Sequence, residues 1–311
     1  CLRPVSTYPS DIANLVTWLR ADSGLTFDIP TKQVSAWANQ VGTDSTNLEQ
    51  ATKTKQPLRY GYDGANDKAR IEFNGTSNYM TSEGDSPIGE NFTMFFVVQN
   101  NTYNFYEGKY FSYVDGNTLL EFGSKNGLFT GKFSDANGQG AELSLTGALT
   151  GSYNIAMVKL HNKTLYLEYN NNLSDSVQVS GYDHNTTYDQ TGFTIGYKTS
   201  APSTNYFKGN LQEIIIYNTA LDNGKIAEVK SYLNTKYKIY AKDLSFDSDT
   251  RSNYLVSANV PKRYQIRWSG AGVNESYTPT KTASTTTRGD IVNMVFYVYA
   301  TTQFTDDSYI N

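Results

Sequence analysis

Short segments of alternating apolar and polar residues recur along most of the chain, broken by stretches rich in Asn, Gly, Asp and Ser. Leu15 to Asp22 (LVTWLRAD) alternates in part and predicts a strand. A short strand or turn around Trp37 is read over 34–41. Ala69 to Phe73 alternates and runs into Asn74-Gly75, a tight-turn signal. Phe92 to Val98 is an almost continuous apolar run, and its length and β-favouring residues fit a strand buried on both faces. Further strands are predicted over 109–114, 118–122, 127–133, 153–160, 163–169, 176–179 and 193–197, and 207–217 closes the series with LQEIIIY. Regular strand spacing with turn signals between predicts an all-β, two-sheet antiparallel sandwich or jelly roll. One helix follows, over 222–238. Asp222 is a good N-cap, Ile226, Val229, Tyr232 and Leu233 recur at helical spacing, and Lys236 and Lys238 suit the negative end of the helix dipole.

The texture changes near residue 241. Asp243 to Ser252 is polar and linker-like, strands are predicted over 253–260, 263–268 and 291–300, and Gly270 to Arg288 is dominated by Thr, Ser and Gly. The chain is therefore read as a 1–240 domain and a 241–311 segment. The latter is a small β-rich domain or a segment that docks the chain into an assembly. Asp290 to Ala300 would be an exposed edge if the rest of its sheet lay in another chain.

Composition narrows the function. In 311 residues, 26 Lys and Arg stand against 30 Asp and Glu, a net charge of −4, which argues against a nucleic-acid partner. The 25 Tyr, against only 3 Trp, fit a β-rich chain with polar loops. No apolar run is long enough to span a membrane. The single cysteine, Cys1, excludes an internal disulfide and a zinc site built on several thiolates. Its terminal position has two readings: a lipid anchor of the bacterial lipoprotein kind, or a fragment boundary.

Five segments, in order, carry a family resemblance. They are LVTWLRADSGL at Leu15 to Leu25, VSAWANQVG around Trp37, RIEFNGTSNYM at Arg70 to Met80, the Phe92 to Val98 strand, and YFKGNLQEIIIYNTAL at Tyr206 to Leu221 with the helix to Ile239. Together they resemble the laminin-G-like, concanavalin A-like jelly-roll domains of bacteria and phages over about residues 12–240. The resemblance implies a jelly roll. Members of that family act as carbohydrate-binding modules, adhesion modules and parts of phage tails and capsid fibres, and some hold calcium at the rim of the sandwich. The fold alone does not select among these.

Catalytic chemistry finds little support. Glycosidases need two carboxylates flanking a sugar, alternating on one strand in such folds as Glu-x-Asp-x-x-Glu. No such run exists, and Glu121, Glu142, Glu168 and Glu213 are isolated. His161 reads as a hairpin-turn residue and His184 as part of a polar loop. Calcium is the metal that suits the abundant oxygen ligands. Asp135, Asn137 and Gln139 open a partial calcium loop, in which Thr146 replaces the Glu expected at position twelve. Asp63, Asn66 and Asp67 form a second oxygen-rich loop that reads as plain turn chemistry. Sugar binding needs aromatic faces beside hydroxyl-binding polar groups. Tyr103, Tyr106, Tyr113, Asp115, Asn117, Tyr182, Asp183, Tyr188 and Tyr206 supply both in predicted loops, and Tyr-rich loops equally suit a protein ligand. The sequence thus predicts a non-catalytic recognition module for a glycan or a protein surface, extracellular or at the cell surface. The alternative is a virion or appendage structural protein docked through 241–311.

Overall fold

The computed structural model describes residues 7–42, 46–82, 84, 88–101, 107–115, 118–134, 140–148, 151–170, 173–179, 192–197 and 205–239, with the pairs 268–269 and 295–296. The chain divides into two units, Cys1–Tyr240 and Ala241–Asn311.

The strands of the first unit are β1 (Leu15–Arg20), β2 (Leu25–Phe27), β3 (Val34–Trp37), β4 (Leu48–Glu49), β5 (Leu58–Tyr60), β6 (Arg70–Asn74), β7 (Met80–Ser82), β8 (Phe92–Asn100) and β9 (Glu107–Asp115). They continue as β10 (Thr118–Lys125), β11 (Leu128–Ser134), β12 (Gly140–Ala148), β13 (Tyr153–His161), β14 (Thr164–Tyr169), β15 (Leu173–Gln178), β16 (Thr194–Ile195) and β17 (Lys208–Tyr217). One sheet runs β15-β14-β13-β8-β17-β6-β5, with β1 also paired to β17. The other runs β12-β11-β10-β9-β16-β7-β4-β3-β2. All pairings are antiparallel, so the unit is an antiparallel β-sandwich.

Strand β8 shows why the sequence makes three layers. Alternate side chains point to opposite faces. Phe92, Met94, Phe96 and Val98 enter the core between the sheets. Phe95 and Val97 point the other way, into a second core with Trp18, Ile155, Met157, Ile215 and Tyr217. The helix α1 (Asn223–Tyr237) covers that second core with Ile226, Val229, Leu233 and Tyr237, spaced three and four residues apart. The Asp222 carboxylate caps the helix by accepting from the Lys225 N–H at 2.8 Å. Lys238, in the left-handed region at φ 51°, closes it through an N–H bond to the Asn234 carbonyl. The expected antiparallel sandwich, with both faces of Phe92–Val98 buried, is what the structure shows, and the helix packs on it over the buried Trp18.

Glu213 fastens this layer. Its carboxylate is fully buried and accepts from Trp18 Nε1 at 2.7 Å, Lys236 Nζ at 2.7 Å and Tyr237 Oη at 2.6 Å. Burial, then the Glu213 charge, pushes the Tyr237 phenol well above its ordinary range.

Gly140–Ala148, which holds the far end of the partial calcium loop, is strand β12, paired to β11. Leu143 and Leu145 face the core, an alternation masked in the sequence by small neighbours. Strand β15 lies over 173–178 rather than 176–179. Asp135, Asn137, Gln139, Cys1 and His184 lie outside the described residues. In the second unit, the described Trp268–Ser269 and Val295–Phe296 pair antiparallel as β18 and β19. The remaining strands predicted there fall outside the described residues.

Candidate functional site

The second sheet places two rows of side chains at matched register. Met80, Ile195, Phe111, Phe122, Gly131 and Leu143 are partners across β7, β16, β9, β10, β11 and β12, and all face the core. One residue along, Thr81, Thr194, Ser112, Glu121, Lys132 and Glu142 form a polar row on the outer face. Its centre is deeply buried, with Thr194, Ser112 and Glu121 all under 4% exposed. There Lys109 Nζ lies 2.7 Å from Glu107 Oε1 and 3.6 Å from Glu121 Oε2, so the buried Glu121 charge has a cation beside it.

Each glutamate that looked isolated therefore has a cationic neighbour. Glu142 binds Lys125 at 2.6 Å, Glu168 binds Lys230, Glu213 binds Lys236 and Glu121 faces Lys109. His161 is exposed at the β13–β14 turn, where Asn162 and Lys163 both adopt positive φ. Arg70 ties the Asp63 end of the second oxygen-rich loop to Glu72, at 2.7 Å and 2.6 Å. Asn66 donates from Nδ2 to the Lys236 carbonyl. Among the described residues no cluster of three His, Cys, Asp or Glu is placed to hold a metal.

An aromatic platform forms at one end of β7 and β16. The Tyr197 and Tyr206 ring centroids are 4.6 Å apart, Tyr79 and Tyr197 5.6 Å, and Tyr79 and Tyr206 6.5 Å. All three rings are partly exposed. Lys55 Nζ sits 5.5 Å from the Tyr79 centroid and 3.5 Å from its hydroxyl.

The supporting backbone is tightly specified. The Asn74 carboxamide accepts from the N–H groups of Thr76, Ser77 and Asn78, and Gly75 supplies φ +78°, so the predicted turn ends where Tyr79 begins. The buried amides of Gln50, Gln56 and Asn78 bond to the Tyr79, Gln50 and Gln56 carbonyls. The Tyr79 N–H donates to the Lys55 carbonyl. Gly196, at φ +88°, lies against the Phe73 ring, where a Cβ would come within 2.5 Å of ring carbon. Its carbonyl accepts from the Phe207 N–H at 2.9 Å, which draws Tyr206 alongside Tyr197. Phe207 is itself locked between Phe73 and Tyr110. Burial first, then Tyr197 and Tyr79, raise the Tyr206 phenol above its ordinary value against the opposing pull of Lys55, so it remains a proton donor.

Of the residues chosen from sequence, Tyr206 belongs to this platform. Tyr113 does not belong to a binding loop: it points inward from β9, 1% exposed, and has no face to offer a sugar. Asp115 ends β9, its side chain outside the described set. Tyr103, Tyr106, Asn117, Tyr182, Asp183 and Tyr188 also lie outside it. Sequence reasoning passed over Tyr79, Tyr197 and Lys55. The available signal was a tyrosine just beyond a strand end at Gly196-Tyr197, and the Asn-Tyr pairs at 78–79 and 205–206.

No family model matches the chain, and no curated protein matches it. Among solved structures it is similar to the binding domain of Paraclostridial Mosquitocidal Protein 1, at 17% identity and TM-score 0.49, over 72% of this chain and 52% of that one. It is similar to the receptor binding domain of botulinum neurotoxin type G at 10% identity and TM-score 0.47, over 72% and 52%. It is also similar to domain 4 of an extracellular arabinanase from Geobacillus stearothermophilus, solved with arabinotriose, at 15% identity and TM-score 0.49, over 70% and 98%. The chain spans about half the length of the first two.

Proposed function

We propose that the chain is a non-catalytic, laminin-G-like glycan-binding module acting outside the cell, and that Tyr79, Tyr197 and Tyr206 form its ligand platform. The observation that carries the reading is three partly exposed rings with centroids 4.6, 5.6 and 6.5 Å apart on a rigid sheet end. Such rings offer apolar faces to the C–H side of a sugar, and their hydroxyls and Lys55 offer polar contacts at the edge. A non-catalytic role is supported by the ion-paired state of the four glutamates. No helix among the described residues is long and apolar enough to cross a membrane.

Affinity electrophoresis of the full chain through gels containing neutral and acidic polysaccharides tests this. At least one polysaccharide should retard the parent protein. The double variant Tyr79→Ala/Tyr206→Ala should lose about tenfold in affinity, the worth of an aromatic contact or two. No new reducing ends should appear. Equal retardation of parent and variant would remove the platform from the account, and turnover lost with one carboxylate would make the protein an enzyme.

A further inference from the structure

Resting on the platform reading, we infer that the ligand is an acidic glycan, whose carboxylate or sulfate group is received by Lys55. The argument is one of donors and acceptors. The hydroxyls of neutral sugars are ordinarily held by carboxylates and amides that accept their protons. Here the platform brings an ammonium and three phenols. Among the described residues Lys55 forms no ion pair, whereas Lys109, Lys125, Lys225, Lys230 and Lys236 each pair with a carboxylate. Among the described residues, the groups that act on the Tyr206 phenol after its own burial are Tyr197, Tyr79 and Lys55.

The position of Lys55 is built rather than incidental. It ends a short 3₁₀ turn, Lys53–Lys55, whose geometry is fixed by the Gln56 N–H bond to the Lys53 carbonyl. Its own carbonyl takes the Tyr79 N–H at 3.2 Å, so the ammonium and the first ring of the platform share one backbone contact. The Lys55 side chain is only partly exposed, and its ammonium lies 5.5 Å from the Tyr79 ring centroid. The chain as a whole carries −4, so its general field does not attract anions, and selection for one has to be local. Lys55 is the cation that the described residues bring to the platform, and one such charge suits a glycan with discrete charges on sugar rings better than a uniform polyanion, whose binding accumulates over many phosphate contacts.

Titration calorimetry on the full chain, with two matched pairs of probes, decides the matter. Galactotriose and trigalacturonate differ by carboxylates; lactose and 3′-sulfolactose differ by one sulfate. At low salt, at least one acidic member should bind about tenfold tighter than its neutral counterpart, as a charge-assisted bond warrants. Which pair shows the preference identifies the anionic group. Lys55→Met should abolish the preference while leaving the melting temperature in place. Lys55→Arg should retain it. Equal binding within both pairs, or a preference that survives Lys55→Met, overturns the inference. If neutral sugars bind and Tyr206→Ala abolishes that binding without any acidic preference, the platform stands and only the acidic specificity falls. If no probe binds the parent protein, this inference falls and the platform reading is weakened with it.

Discussion

The two sheets of the sandwich finish their outer faces in opposite ways. The face of the β8–β17 sheet is closed by the chain's own helix over Trp18, Phe95, Val97, Ile215 and Tyr217, with Glu213 as the polar knot beneath it. The face of the β9–β10 sheet carries a row of hydroxyls and charges, with Lys109 and Glu121 at its buried centre. Apolar burial stabilises without direction, so the first face can be covered by any well-shaped helix. Charges need specific partners, so the second face is ordered by pairing. The tyrosine platform belongs to neither regime. It sits at a strand end, where glycine geometry and buried amides hold aromatic rings without covering them.

The comparison predicts how each region fails. Trp18→Ala should cost about 3–5 kcal/mol in a urea melt, since it empties a large volume under the helix and leaves Glu213 short of a donor. A loss below about 1 kcal/mol would mean that the helix layer does not depend on this ring. Lys109→Met should cost about 3 kcal/mol, because it takes the Lys109 cation away from the buried Glu121 charge. If the Lys109→Met variant is as stable as the parent, the outer face of the second sheet is not organised by charge.

Alkaline pH separates the faces without mutation. Burial, ahead of nearby carboxylates, raises the phenols of Tyr217, Tyr232 and Tyr237 above 10.0, and all three belong to the helix-covered face. In the unfolded chain these groups ionise near pH 10.0, while in the folded protein they hold their protons. Stability is therefore fully present below pH 10 and declines as pH rises through the folded-state values. Each phenol contributes a slope of up to about 1.4 kcal/mol per pH unit. Chemical denaturation at pH 9 and pH 11 reads the slope, and Tyr237→Phe should flatten it. A stability independent of pH over that range would contradict the burial of these hydroxyls. The smallest effect is at the helix start. Asp222→Ala should cost about 1 kcal/mol, and its replacement by Asn very little, as judged by thermal melts.

What the sequence disclosed, and what it hid, follows the same physics. Phe92–Val98 was readable as doubly buried because a run of apolar residues leaves neither face for water. The helix was readable because Asp222 and the Ile226, Val229, Leu233 spacing are local signals. Strand β12 was hidden, since Gly140, Ala141 and Gly147 weaken an alternation that only pairing with β11 makes decisive. The platform was half visible. Tyr206 stood out as a loop tyrosine, but Tyr113 looked the same and proved to be core. Tyr79 and Tyr206 are far apart in sequence and meet only because β7 pairs β16 and Gly196 bonds Phe207. Register of that kind is a property of the assembled sheet, and no local pattern announces it.

Hydrogen exchange of the full chain, with and without a saturating glycan chosen by affinity electrophoresis, tests the central claim most directly. The account predicts new protection at the amides of Lys55, Tyr79, Tyr197 and Tyr206, with none gained along α1 or the Lys159–Glu168 side of the first sheet. Protection confined to α1 and β14, with the tyrosine amides unchanged, would contradict it and move the binding site to the helix-covered face of the first sheet.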